Sequence, residues 1–434
     1  MAMLMLLDRP PDRERLRASA LRAVEAVPRL GQRVVDAPFD MALPRWERDP
    51  TFDLAFHLRR YSLPAGTDPA NELAELFRCI GPIYERPFDR TRPLWELIEI
   101  DRSEGRSALF CRLHHAIADG VGANTVLGAL TDADPGDEPI PPARNVEPSE
   151  WAEPSFAGLL GRTLRDRASD DIERARGAAR MLAEVVSHPG RAIDLARGAA
   201  ELSKAILHTG PAHLQHYGRS RRLGGLAIPF APVRDARKRL GVRTVELLLT
   251  AVAGAVGEWH RSAGRGDAET VLTTVPMNLR ARSEQGLATD VGNRVTAVIL
   301  RLPIAERDPR RRLERIHQLF EEQTHHPATE VFPLLTHLLA GLPRRVYRAA
   351  VRASVSSMDL IVTNIPGVPA TRYIAGAEIT EPYPIAPTVP HCPVSIALYG
   401  YRDRLFIGLD ADATAMPVLG EFSALLERAF EELW

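Results

Sequence analysis

Cysteine is scarce: the 434-residue chain carries three, Cys79, Cys111 and Cys392, odd in number and widely spaced. No CxxC pair and no zinc-type Cys/His spacing occurs, so neither a disulfide framework nor a structural zinc organises the fold. A reducing, cytoplasmic setting is expected. Net charge is also lacking, with Lys+Arg 55 against Asp+Glu 56 giving -1. No long-range positive field therefore draws in nucleic acid. Lysine is nearly absent, with Lys204 and Lys238 alone, which reads as compositional bias more than mechanism. No run of about 18 apolar residues occurs, which excludes a spanning helix. Met1–Leu7 is apolar but has no basic residue ahead of it, and Asp8, Arg9 and Pro10 close it too early for a signal peptide. With no GxSxG elbow and no P-loop, the common serine-hydrolase and nucleotide-phosphate chemistries drop out.

What is present is an ordinary globular composition, 45% apolar and 26% charged. The length allows two or three domains and a large core. Met1–Leu7 reads as a first strand, and the apolar spacing from Arg13 to Arg29 predicts a helix. Another helix is expected over 72–84, then strands over 94–100 and 108–113 and a helix after Gly120. The acidic, proline-rich stretch 132–150 is a boundary. Residues 153–207 are helical and Arg/Ala-rich, with Pro189-Gly190 breaking the run. Their basic amphipathic pattern fits helices lying between two domains better than docking on an anionic lipid surface. From Leu223 onward, strands alternate with helices around 245–259, 313–322 and 418–433, giving a second α/β unit. The expected division is therefore 1–150, a helical connector 151–222, and 223–434, with no short internal repeat.

The most informative segment is Leu109-Phe110-Cys111-Arg112-Leu113-His114-His115-Ala116-Ile117-Ala118-Asp119-Gly120. A strand carries two histidines to its end, and Asp119-Gly120 turns the chain into a helix. Neighbouring strand side chains point to opposite faces, so His114 and His115 are not expected to hold one metal ion. Adjacent histidines are often a hydrogen-bonded structural pair, the reading that suits His325-His326. Chance placement of the full HHxxxDG string is on the order of 10⁻³ per chain, too rare for accident. Cys111 shares a face with Leu113 and belongs to the core.

Through this string the sequence resembles the HHxxxDG acyltransferase superfamily of chloramphenicol acetyltransferase and peptide-synthetase condensation domains. More closely it resembles the bacterial wax ester synthase/diacylglycerol acyltransferase family. Arg92-Pro93-Leu94-Trp95-Glu96 is similar to that family's PLW motif, and Gly292-Asn293-Arg294 to its GN segment. Thr363-Asn364-Ile365-Pro366-Gly367 and Tyr373-Ile374-Ala375-Gly376-Ala377 are similar to its NVPG and YLAGA strings, and Leu405–Asp412 to its closing strand. Three features depart from the pattern: an SPLD-type start is missing, Val245-Glu246 stands for an Asn-Asp pair, and Val368 interrupts a PGP.

The resemblance implies an α/β fold of two chloramphenicol acetyltransferase-like sandwich domains with the active site in a tunnel between them. It implies transfer of a fatty acyl group from acyl-CoA to a lipid alcohol, a long-chain alcohol or a diacylglycerol, giving wax ester or triacylglycerol. Acyl-CoA is then a substrate, and no permanently bound cofactor or metal is expected. The alternatives are acylation of a glycolipid or polyketide alcohol from a carrier-protein or CoA thioester, or a non-catalytic lipid-binding protein retaining the fold. Peripheral contact with the membrane's inner face or a lipid droplet is compatible with either.

An alcohol attacks a thioester poorly near neutral pH because its proton must leave as the new bond forms. A histidine with a pKa near 6.5 can take that proton and return it to the departing thiolate. The resemblance assigns this to His115, with His114 facing the other way and supporting the strand. By the same resemblance Asp119 pairs with an arginine to fix the loop, with Arg33 as the expected partner. Gly120 leaves room for the thioester arm. Asn293 and Asn364 either line the channel or make loop hydrogen bonds. Trp95 is a channel residue by motif position and a packing residue by chemistry, whereas Pro93, Pro366 and Gly367 are structural.

Overall fold

The computed structural model describes residues 1–40, 44–63, 68, 71–118, 120–136, 156–187, 218, 220–264, 268–278, 295–324, 346–349, 358–389 and 392–434. Two six-stranded sheets carry the architecture. At the centre of the first lies β1 (Ala2–Leu7), a run of apolar residues buried along almost its whole length, as expected of a strand covered on both faces. It pairs antiparallel with β6 (Ser107–Leu113) on one side, Met3 facing Cys111. On the other side it pairs antiparallel with β12 (Ala377–Ile385), Met3 facing Pro384. β5 (Trp95–Asp101) and β4 (Leu58–Ser62) extend the sheet beyond β6, and the short β11 (Tyr373–Ile374) closes the far edge. β2 (Gln32–Val35) and β3 (Arg45–Arg48) form a separate two-stranded ribbon.

The second sheet runs β7 (Arg221–Pro229), β14 (Arg404–Asp412), β13 (Val394–Tyr401), β10 (Leu360–Val368), β8 (Thr270–Asn278) and β9 (Val295–Pro303). It is mixed, with β10 parallel to both β13 and β8. One face is covered by α6 (Phe230–Leu240), α7 (Thr244–Ser262), α8 (Pro309–Thr324) and α9 (Leu419–Glu431), which share a core with it. α7 is buried along most of its length, including Leu247–Val252 and Trp259. The opposite face presents Tyr399, Tyr401 and Phe406 to the core of the first sheet. That core is covered by α1 (Arg13–Ala26) and α3 (Glu72–Glu85). Asp12 caps α1 by accepting from Arg15 N at 2.9 Å, and α2 (Leu54–His57) is a single turn capped by Asp53.

The expected first strand, the helices near 13–29 and 72–84 and the strands over 94–100 and 108–113 are present within a residue or three. α5 (Phe156–Ser187) is the described part of the Arg/Ala-rich run, and the break at Pro189-Gly190 lies outside the described residues. β12 comes from the second half of the chain yet completes the first sheet, so that half supplies strands to both. Its route is set by a two-residue hairpin: Ile374 pairs with Ala377, and Ala375 (φ 48) and Gly376 (φ 83) both take positive φ. That is the geometry of a type I′ turn, which favours glycine. Where β12 passes β14, Gly408 lies against the Pro384 carbonyl in space a side chain would occupy. Among the described residues no single helix is long and apolar enough to cross a membrane.

Candidate active site

β6 ends at Leu113, and the two histidines follow it in a turn. His114 N donates the last rung of the β5–β6 ladder, to Leu94 O at 2.9 Å. Pro93, having no N–H, cannot extend the partner strand in that direction. The turn closes with Ile117 N donating to His114 O at 2.9 Å. The two histidines therefore lie just beyond β6, in the turn, and not on the strand itself.

The His114 side chain is exposed, while its backbone N–H ends the ladder. Its Nδ1 accepts from Ala116 N at 3.1 Å, so the neutral ring carries its proton on Nε2. Phe88 packs edge-on to it at 6.2 Å. Desolvation, reinforced by nearby positive charge including His115 and Arg90, holds its pKa below the ordinary histidine value. His115 is half-buried beside it.

Beneath the turn lies a buried ionic network. Glu96 on β5 and Arg112 on β6 face each other in register and pair at 3.1 Å with both side chains less than 10% exposed. Arg86 adds a second guanidinium to Glu96 at 3.1 Å, and Arg59 a third at 3.7 Å. The Arg112 guanidinium stacks over Phe88 at 4.1 Å, and that ring in turn meets His114. Burial lowers the Arg112 pKa, with Glu96 opposing the shift. The one arginine of β6, on an otherwise apolar strand end, was a signal in the sequence that an acidic partner faces it.

α4 (Gly120–Leu130) follows the turn directly and reaches both sheets. Asn124 Nδ2 donates to Pro366 O of β10 at 2.7 Å, bringing the helix after the histidines onto the Asn364–Gly367 segment. At the other end, Arg372 donates to Thr131 O and Oγ1, each at 3.1 Å, and Asp132 bridges to Tyr373. Arg22 of α1 binds Asp132 at 2.7 Å. Between these anchors is a cavity of about 270 Å³, lined by Met5, Leu127, Val368, Ile379, Tyr399 and Tyr401 among others. It lies between the inner faces of the two sheets, with Asn124 on its wall.

The other expected residues fall into separate groups. Trp95 is buried, stacks on His57 at 4.4 Å and donates from Nε1 to Leu30 O at 2.8 Å. It is a packing residue and does not line the described cavity. Asn364 and Pro366 are exposed on β10, where the β10–β13 register shifts between Ile365 and Val368. Gly367 lies so close to the Gly400 carbonyl that a side chain there would collide with it. Arg33 sits on β2 opposite Glu47. Asp119 and Asn293 lie outside the described residues, whereas Gly120 opens α4.

Val245-Glu246 sits at the start of α7, where Glu246 accepts from Arg243 N at 3.1 Å in a capping box. Glu246, His317 and Glu321 place three potential metal-binding atoms together. The Arg243 guanidinium already neutralises Glu321 at 2.5 Å and Glu246 at 3.5 Å. Burial drives the Cys111 and Cys392 thiols each up to about 12, and raises Cys79 as well. A thiol so shifted supplies almost no thiolate near neutral pH. Asn124, one of two polar residues in the largely apolar Val121–Leu127, was not legible in the sequence, because helical periodicity gives no hint of a partner 242 positions away.

Comparison with known proteins places these features in a common frame. Residues 1–246 match the wax ester synthase/diacylglycerol acyltransferase catalytic domain, and residues 291–434 match the WS/DGAT C-terminal domain. A probable diacylglycerol O-acyltransferase of Mycobacterium tuberculosis is 26% identical over 433 residues, covering 98% of this chain and 88% of its own. A putative diacylglycerol O-acyltransferase of the same species is 28% identical over 441 residues, covering 99% and 86%. Among solved structures, the wax ester synthase/diacylglycerol acyltransferase of Marinobacter aquaeolei VT8 superposes with a TM-score of 0.63 at 20% identity, covering 100% of this chain and 93% of that one. The first condensation domain of the calcium-dependent antibiotic synthetase gives 0.59 at 15%, covering 100% and 90%.

Proposed function

Because the chain belongs to the wax ester synthase/diacylglycerol acyltransferase family, we propose that it transfers a fatty acyl group from acyl-CoA to the hydroxyl of a long-chain alcohol or a diacylglycerol. The observation that carries this reading is the position of the His114–His115 turn. It stands at the root of α4, the helix that spans from the first sheet to Pro366 of the second and walls the cavity between them.

In this mechanism His115 takes the alcohol proton as the oxygen–carbonyl bond forms. It returns that proton to the CoA sulfur as the carbon–sulfur bond breaks. A positioned base of this kind contributes about 10²- to 10⁴-fold, and orientation of the two substrates supplies much of the remainder. His114 is not the base, because its Nδ1 is committed to Ala116 N. With all three thiols shifted upward by burial, no cysteine is suited to hold an acyl intermediate. The acyl group then passes directly between two bound substrates.

The test is product formation from long-chain acyl-CoA with a panel of fatty alcohols and diacylglycerols, wild type beside His115→Ala. Ester formed by wild type with intersecting double-reciprocal lines supports direct transfer. Parallel lines, or an acylated protein detected by mass spectrometry, would overturn it. Turnover only with a carrier-protein thioester would move the donor assignment away from CoA.

A further inference from the structure

α4 is fastened to the second half of the chain at both ends, in different ways. Its C-terminal end is held by Arg372 on Thr131, by the backbone bridge between Asp132 and Tyr373, and by Arg22 on Ala129 O and Asp132. Its N-terminal end, one turn into the helix, meets the second sheet through Asn124 Nδ2 and Pro366 O at 2.7 Å. The acceptor is available for a structural reason. The register of β10 against β13 shifts between Ile365 and Val368, while β8 pairs only with Leu360 and Ile361. The Pro366 carbonyl is thus left out of both ladders. Gly367 permits the backbone to pass against Gly400 in that shifted conformation. The bulged end of β10 is in this way aimed at the helix that carries the catalytic turn.

We propose that Asn124 is a positioning residue. Its carboxamide clasps the bulged end of β10 to the first turns of α4 and thereby fixes the His114–His115 turn against the second half of the cleft. A rigid helix transmits displacement along its axis, so loosening this end shifts the turn at the helix root while the C-terminal anchors stay closed. Small misplacements of a base relative to its substrate cost far more in turnover than in binding. The inference rests on the acyl-transfer reading for its kinetic consequence, though the clasp itself does not.

The experiment compares wild type with Asn124→Asp, Asn124→Ala and Asn124→Gln, by steady-state kinetics with long-chain acyl-CoA and alcohol and by amide hydrogen exchange. Aspartate preserves size but, ionised, has no N–H to donate to a carbonyl. Asn124→Asp and Asn124→Ala are expected to lower kcat by about ten- to a hundredfold, with KM for acyl-CoA held within about twofold. Asn124→Gln, which keeps the donor, recovers part of the loss. Exchange is expected to quicken together in residues 120–130 and 363–368, with residues 131–132 unchanged. A wild-type kcat retained in Asn124→Asp, or faster exchange confined to α4, overturns the proposal. If wild type turns over no substrate while exchange still quickens in both segments, the clasp stands and the acyl-transfer reading falls.

Discussion

Two histidine environments flank the β5–β6 pair, and they differ in an instructive way. His57 is 1% exposed and lies between the rings of Trp95, at 4.4 Å, and Phe52, at 5.3 Å. Its Nδ1 lies 2.8 Å from Trp95 O, so that nitrogen carries the proton it donates. The His114–His115 turn begins only one residue beyond Leu113, which faces Trp95 across the sheet. There the chain leaves the ladder and meets α4. Desolvation lowers the pKa of both His57 and His114, aided at His114 by nearby positive charge, so a shifted histidine does not by itself mark chemistry. Surroundings separate them: aromatic rings sandwich His57, while the His114–His115 turn leads into α4, which lines the cavity between the sheets.

The sharpest break of this comparison is expected from His115→Ala. Acyl transfer should fall by about 10²- to 10⁴-fold with the melting temperature unchanged, measured by product formation and thermal unfolding. A loss of less than tenfold would return His115 to the structural class occupied by His57. The reverse pattern is expected from His57→Ala. Removing a buried ring between two aromatic partners should destabilise the fold by about 2–4 kcal/mol, read by denaturant unfolding, while activity per folded molecule persists.

Acid sharpens the contrast further. The folded His57 pKa lies below its ordinary value of 6.5, so the unfolded chain binds the proton more readily. Its contribution to stability is unaffected above pH 6.5 and is lost as pH falls below that value. Melting temperature measured from pH 8 to pH 5.5 should therefore decline less steeply at the acid end in His57→Phe than in wild type. The smallest effect is expected from Cys111→Ala, where a thiol pushed to about 12 is removed from the strand leading to the turn. Transfer should stay within about threefold of wild type, with a stability cost of about 1 kcal/mol. Complete loss in a folded variant would promote that thiol to a nucleophile.

The legible part of this molecule is that in which local pattern and final environment agree. β1, β6 and α7 announce themselves through apolar runs that end up covered on nearly every side. The HHxxxDG motif was visible as a string, although its histidines fall just past the end of β6. β12 was not visible, because Pro382, Pro384 and three polar residues interrupt its apolar pattern and its partner lies at the opposite end of the chain. α6 escaped for a related reason: five of its eleven residues are charged, and only Val233 and Ala236 are buried. Asn124 shows the general limit. A side chain that acts by reaching another segment has no periodicity, and its meaning appears only when the partner is in place.

The pairing of β1 with β12 also has a temporal side. Strand β1 is made first and finds β6 once residue 113 has been synthesised, yet its other edge waits for residue 385. At translation rates of about 5–20 residues per second, that strand spends roughly 14–54 s with one row of backbone donors and acceptors open. An apolar strand with an open edge readily accepts the wrong partner. Proper assembly of the first sheet is thus deferred until β12 emerges, and a nascent chain halted before Ala377 would present a sticky sheet with its middle exposed.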